Sequence, residues 1–499
     1  MKSKKIKLSI VFSVCVIFIG AAQQKYKMTT EIPKSIITPN SVNTRIGELT
    51  FFDGIPTEET TKKVYDQIDF SRGIEVFLNG IPGASMVALR QGCRDEGAVD
   101  GTIALFQNLM DSKSLFLTAN TESIYYLSWI DLKNGPIVVE SPPNVLGVVN
   151  DFWFRYVIDL GNAGPDKGKG GKYLILPPDY KGDIPKGYFA YKSPTYGNLV
   201  IGRGFMKDGS TKTAVESIKN IMRIYPLAEA GKPHSAKFKE VSGHEMHTIH
   251  SNDYTFFEEV NQIVQEEPID SYGPDMMGLF NAIGLKKGKP FAPDERMKKI
   301  LVDAVAVGNA TARSIDFRSR LEGSIIYPDR HWNTPFIGGS YEWMIKGGGR
   351  NFDARTFFYY AATVNTPAMA VAMAGIGSQY ASTNFDSKGT PFDGGKTYRF
   401  HVPANVPVKD FWSIVLYDPQ TRSMLQTDQQ FPSLSSQTNI EKNADGTVDI
   451  YLGPTKPQNS KNWIQTIPGK SWFTIFRLYG PLQPWFDKTW KLSDIELVK

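Results

Sequence analysis

The sequence predicts a mostly β, α+β protein with a helical insert: two β-sandwich, jelly-roll-like domains connected by a helical middle segment. Three observations carry that expectation. Between Leu115 and Arg203 short apolar and aromatic runs such as SIYYLSWIDL, GPIVVESPP and NLVIGR alternate with Pro, Gly and Asn turn residues, which is the texture of strands. From Thr211 to about Arg320 the apolar residues recur at helical spacing, as in DYTFFEEVNQIVQEEP. From Lys396 strands return as KTYRFHVP, FWSIVLYD, TVDIYLGP and SWFTIFRLYGP.

The N-terminus sets an expected address. Lys2, Lys4, Lys5 and Lys7 form a positive region before the apolar stretch Leu8 to Ala22, the pattern of a signal peptide over residues 1–22. That stretch of about fifteen residues is short of the roughly 18 needed to span a bilayer. Gly20 and Ala22 suit the −3 and −1 positions of a cleavage site before Gln23, and Cys15 lies inside the apolar core, where it cannot become a lipid anchor. The expectation is a periplasmic or secreted protein with no integral membrane segment after cleavage. Only Cys93 then remains, so no intramolecular disulfide forms. The formal charge of +5 includes the four signal lysines, and 5 − 4 = +1 gives no electrostatic reason to expect nucleic acid as a partner.

Past the signal, residues 23–45 read as a polar linker and 46–110 as an N-terminal helical segment, with Val64, Ile68, Ile74 and Phe77 on a helical repeat that stops at Asn79-Gly80. Residues 111–208 form the first sandwich. The middle, 209–390, combines helices with long loops; one helix starts at Pro293-Asp294 and buries Met297, Ile300, Leu301, Ala304 and Val305. Residues 391–499 form the second sandwich.

The two β regions run in the same order. ESPPN precedes Asp151-Phe152-Trp153 and a strand finishing at Asp159, and the region closes on a strand ending at Arg203. VPANVPVK precedes Asp410-Phe411-Trp412 and a strand finishing at Tyr417-Asp418, and the region closes on a strand carrying Arg477. Two copies of one sandwich follow, with a cleft between them as the expected ligand site.

Recognised catalytic motifs are absent in their strict forms. HEMHTIH places His244, His247 and His250 at i, i+3 and i+6, whereas a zinc-protease helix needs i and i+4 to bring two imidazoles to one side. GPDKGKGGKY lacks phosphate-loop spacing and lies between strands. Ser378 in AGIGSQY lacks the second glycine of a nucleophile elbow. Cys93 has Arg90 and Arg94 beside it but no nearby histidine, and reads as a plain free cysteine. Neither a metal nor a cofactor is expected.

The motifs TANTESIYYLSWIDLKNGPIVVESPP and NLVIGR, followed by FWSIVLYDPQTRSML, NADGTVDIYLGP, NWIQTIPG and FRLYGP, resemble a family with an N-terminal domain of unknown function numbered 1254 and a C-terminal one numbered 1214. With IGLKKGKPF in the middle, the resemblance covers most of residues 75 to 499. It implies two β-sandwich domains with a helical insert, and frequent export, but no activity. Glu122 departs from the Asp expected in the first motif.

Candidate ligand-site residues are Asn120, Glu122, Tyr125, Trp129 and Arg203, with Asp131 read as the end of a strand before the hairpin turn Asn134-Gly135. Trp412, Asp418, Trp463 and Arg477 are their counterparts in the second copy. His331 and Trp332, with Arg330 and Tyr341, in a long glycine-rich loop form a second candidate region. The leading expectation is a small-molecule, sugar or lipid binding protein without turnover. The alternative is an envelope enzyme, of hydrolase type, using Glu122 with Arg203 or His331 at the domain junction. A purely structural role would instead expose a large apolar patch.

Overall fold

The computed structural model describes residues 27–458 and 460–498, so the signal segment and its cleavage point lie outside the described residues. The chain divides after Gln67 into two compact units. In the first, Ser41–Thr44 pairs antiparallel with Gly47–Phe52, which pairs with Ile55–Pro56. The expected linker over 23–45 therefore ends in a strand. Its alternation is short and nearly all exposed, and Gly47 turns the hairpin at φ +99°.

Helix α1 (Glu58–Asp95) does not stop at Asn79-Gly80. Gly80 and Gly83 serve close packing there: a Cβ at Gly80 would lie 3.0 Å from Val260, and one at Gly83 would lie 2.5 Å from Ile263 and 2.8 Å from the Trp153 ring. The Asn79 amide donates back to the Glu75 carbonyl within the helix. Beyond α1, Ile103–Leu105 is a strand, so the segment 46–110 is not helical throughout. Cys93 is buried, and burial pushes its thiol up to about 12, opposite to an activated cysteine. Arg90 and Arg94 are turned to Glu266 and Asp100. The middle of the chain supplies α2 (Thr255–Glu266), α3 (Glu295–Phe317) and α4 (Phe352–Tyr359). Asp294 caps α3 by accepting from the Met297 amide, as its position before the apolar stripe predicts.

The first sandwich has strands β1 (Ser123–Asp131), β2 (Ile137–Ser141), β3 (Val145–Asp151), β4 (Tyr156–Gly161), β5 (Gly171–Leu176), β6 (Phe189–Lys192), β7 (Gly197–Phe205) and β8 (Arg223–Pro226). The second has β9 (Ser378–Thr383), β10 (Tyr398–Val402), β11 (Val408–Tyr417), β12 (Ser433–Ser435), β13 (Val448–Gly453), β14 (Trp463–Gln465), β15 (Phe473–Pro481) and β16 (Ile495–Leu497). The sheet orders are β1-β7-β3-β4 with β6-β5-β2-β8 in the first, and β9-β15-β11-β12 with β14-β13-β10-β16 in the second. Each strand of the first sandwich thus has its counterpart eight places later. The pairing senses agree as well, including one parallel pair in each, β5 with β6 and β13 with β14. Ile103–Leu105 and Phe238–Glu240 extend the first long sheet beyond β1. Because β8 and β9 fall within 209–390, that segment gives up strands to both sandwiches.

The duplication is present, but the Asp-Phe-Trp triplets are not its equivalent points. Arg203 pairs with Leu146 and Arg477 with Ser413, so Leu146 corresponds to Ser413, and Asp151, five residues on, corresponds to Asp418. The two triplets fall at opposite ends of equivalent strands.

Alternation along the long sheets sends one set of side chains into each sandwich and the other outward. Ile124, Tyr126 and Ile130 of β1 join Val139, Tyr173 and Ile175 in the first core. Trp412, Ile414, Phe476 and Leu478 join Phe400 and Ile450 in the second. The outward sets, Tyr125, Leu127 and Trp129 of β1 and Phe473 and Ile475 of β15, pack with α1, α2, α3 and α4 in a central cluster. With both faces covered, β15 is buried at every residue, and β1 and β7 at all but their last. Among the described residues no helix is long and apolar enough to cross a membrane.

Candidate functional site

A cavity of about 130 Å³ opens where the outward faces of the two long sheets meet α3, α4 and the segment after α4. Equivalent strands furnish its polar end. Arg203 on β7 lies opposite Tyr125 on β1, and Arg477 on β15 lies opposite Tyr380 on β9. All four side chains line the cavity. The alternation that fixes sandwich cores thus also sets two arginine–tyrosine pairs facing the space between the copies.

Both arginines are buried, Arg203 9 % and Arg477 3 % exposed. Among the described residues neither forms an ion pair with a carboxylate. Arg477 Nη2 donates to the Thr118 carbonyl at 2.5 Å, while its Nη1 has no partner. Arg203 is turned to the Tyr380 hydroxyl. The Tyr125 hydroxyl accepts from Asn120 Nδ2 at 2.9 Å, and Asn120 Oδ1 accepts from the Glu122 amide and the Ser123 hydroxyl. Tyr417 Oη donates to the Ala119 carbonyl at 2.6 Å, so the segment 118–122 ties the first sandwich to the second. Burial holds the Tyr125 and Tyr417 hydroxyls above their ordinary range, leaving them protonated.

Two carboxylates line the cavity elsewhere. Asp159 on β4 accepts from the Thr366 hydroxyl at 2.5 Å, and burial raises its pKa to about 6. Asp316, near the end of α3, is raised to about 7 by burial, against the pull of Arg422 and Arg313. Between the charged groups the wall is apolar: Leu146, Val148, Ile201, Phe336, Phe358 and Ile475.

Of the residues singled out in the sequence, Asn120, Tyr125 and Arg203 meet in this cavity. Glu122 stands behind the wall: its carboxylate accepts from the Thr121 hydroxyl at 2.6 Å and from Tyr479 at 3.4 Å, and burial raises its pKa although Arg477 is close enough to oppose this. Trp129, two residues past Leu127 on the same outward face, packs on Phe152 at 4.7 Å under the Arg90 guanidinium and does not line the cavity. Trp332 is in the second sandwich core, its Nε1 donating to the Ser493 carbonyl at 3.0 Å. The His331 amide donates to Asp494, its ring faces Phe385, and it too does not line the cavity. Glu122, Arg203 and His331 therefore do not converge on one pocket, as the enzyme reading required. Asp159, Asp316 and Tyr380 were not among the candidates. Tyr380 had a signal in the sequence, since Ser378-Gln379-Tyr380 repeats the Ser123-Ile124-Tyr125 spacing. The histidines of HEMHTIH diverge: His244 pairs with Glu96 at 2.7 Å, while His250 is buried, its Nδ1 against the Ser251 carbonyl.

Residues 101–226 match the model of a family described as a protein of unknown function (DUF1254), and residues 377–483 match that of a second (DUF1214). The chain carries both domains, in that order. The DUF1254 match runs from the edge strand Ile103–Leu105 to the end of β8, and the DUF1214 match runs from β9 to just past β15. Each domain thus contributes one arginine–tyrosine pair. No curated protein matches the chain. The crystal structure of the VPA0106 protein from Vibrio parahaemolyticus is similar at a TM-score of 0.53 and 16 % identity, covering 86 % of this chain and 100 % of that one, which is a likeness of fold. A putative uncharacterized protein from Burkholderia cenocepacia aligns over 88 % of this chain and 97 % of its own at 11 % identity and a TM-score of 0.38.

Proposed function

We propose that the protein is an exported binding protein whose ligand is a small organic acid with a compact apolar body, seated between the DUF1254 and DUF1214 sandwiches. The observation that carries this reading is the pair of equivalent buried arginines, neither of which forms an ion pair with a carboxylate among the described residues. Removing a cation from water without a counter-charge costs several kcal/mol, and a ligand carboxylate supplies the missing partner through charge-assisted hydrogen bonds. The apolar wall suits the rest of the ligand. A cavity of about 130 Å³ is comparable with the ~150 Å³ apolar cavity known to hold benzene, so the body is about one six-membered ring or a short chain.

Export rests on the lysine-rich start and the apolar run to Ala22. A second reading, an acid–base enzyme, is supported by Asp159 and Asp316, whose pKa values lie near those of a working general acid or base. Such an enzyme would use these two carboxylates rather than Glu122 or His331.

Native mass spectrometry of the mature protein purified from the envelope fraction of its own host tests the binding reading, with N-terminal sequencing to locate cleavage before Gln23. An acid retained by the wild type and absent from Arg203→Met supports it. A ligand-free protein that also fails to bind benzoate and hexanoate refutes it.

A further inference from the structure

Helix α4 separates two spaces. Phe357 and Phe358 face the cavity between the sandwiches, whereas Phe352, Arg355 and Tyr359 face a second pocket of about 300 Å³ on the helix's other side. The spacing 352, 355, 359 is one face of a helix, so the two walls are fixed by one element.

The second pocket is built from flat rings and from buried polar atoms without partners, the donors Trp343 Nε1 and Arg355 Nε and the acceptor Asn365 Oδ1. Tyr272 stacks on Trp153 with centroids 4.3 Å apart and planes 3° from parallel, and the guanidinium groups of Arg155 and Arg355 lie 5.8 and 6.0 Å from its ring. Arg355 is also 5.0 Å from the Phe352 ring. Trp343 and Arg355 are only 2 % and 5 % exposed, yet Trp343 Nε1 and Arg355 Nε have no hydrogen-bond partner. Each such buried N–H carries a desolvation cost of about 1–3 kcal/mol until an acceptor arrives. Glu342 on the rim offers acceptors of its own.

We infer that this pocket is a second ligand site, for a sugar acid: a hydroxylated ring carrying a carboxylate. The carboxylate is the acceptor that the Trp343 and Arg355 N–H groups lack. The hydroxyl groups find Glu342, and the C–H face of the ring lies against the aromatic side chains. A small inorganic anion satisfies the donors but leaves the aromatic walls uncovered, and a purely apolar ligand leaves the donors unpaired.

Calorimetric titration of the mature full-length protein with glucuronate, galacturonate and mannuronate, beside glucose and benzoate, tests this. At least one uronate should bind about tenfold or more tightly than glucose, the loss expected when a charge-assisted hydrogen bond is withdrawn. Trp343→Phe removes the buried donor, and Phe352→Ala removes a ring that is 48 % exposed and leaves folding intact; both should weaken uronate binding by about tenfold. Saturating hexanoate, a probe of the other cavity, should leave it unchanged. Absence of uronate binding, binding indifferent to both substitutions, displacement by hexanoate, or preference for benzoate would each overturn the inference.

Discussion

Arg203 and Arg477 occupy the same position in two sheets that share one order over four strands, each opposite a tyrosine, and both face one cavity. A duplicated fold usually duplicates its core. Here the repeat also places two buried cations where burial alone disfavours them, a cost that the proposed binding role accounts for and a purely stabilising role does not.

Replacing Arg203 by Met separates those two roles. The side chain keeps its volume and loses its charge, and its named partner, the Tyr380 hydroxyl, remains free to turn to a ligand or water. Thermal stability should be unchanged or raised, whereas affinity for a bound organic acid should fall by about 10- to 100-fold. A melting curve and a titration on the same sample decide it; a large fall in melting temperature would make Arg203 a structural residue.

Stability should decline as pH rises through the neutral range. Asp159 and Asp316 ionise in the folded state at about 6 and about 7, against an ordinary 3.8, because burial disfavours their charged forms. Glu259 and Glu267 are raised to about 7 for the same reason. Over that window the folded state holds more protons than the unfolded, so the contribution is complete below the ordinary values and is lost as pH climbs through the folded ones. The melting temperature should therefore be higher at about pH 5 than at about pH 8, and Asp316→Asn should flatten the difference. Organic-acid affinity should fall over the same range, as two carboxylates in the wall gain charge.

The strands and the repeat were legible because both sandwiches signal their cores through alternating apolar residues, and Arg203 and Arg477 stood out as charges inside such runs. Asp159 reads in the sequence as a strand end, since nothing local distinguishes a carboxylate at the edge of a sheet from one facing a cavity made by a segment about two hundred residues later. Trp332 misled for the opposite reason: a tryptophan in a glycine-rich loop resembles a platform, but the loop folds over the second sandwich and buries the ring. The Asn79-Gly80 stop failed because glycine ends a helix when the chain must turn, and here it lets another helix come near.

That last difference gives a paired test. Gly83→Ala must push Ile263 and the Trp153 ring aside, and the strain should outweigh the roughly 1 kcal/mol that alanine gains in a helix, for a net loss of about 1–2 kcal/mol in urea unfolding. Gly278→Ala, in the helix Pro274–Ala282, meets nothing within 4 Å and should stabilise by about 0.5–1 kcal/mol.

Trp332→Phe should be costly for folding and neutral for binding. The indole lies 5.6 Å from Phe400 in the second core, and its Nε1 is a donor to the Ser493 carbonyl. Phenylalanine leaves a gap where the second ring was and takes away that donor, for a loss of about 1–3 kcal/mol. None of those contacts reaches the cavity between the sandwiches, so organic-acid affinity should stay within about twofold of the wild type while the protein is folded. A drop in affinity as large as that from Arg203→Met, measured well below the melting temperature, would return the 331–332 region to the site and count against a cavity defined by the two arginine–tyrosine pairs.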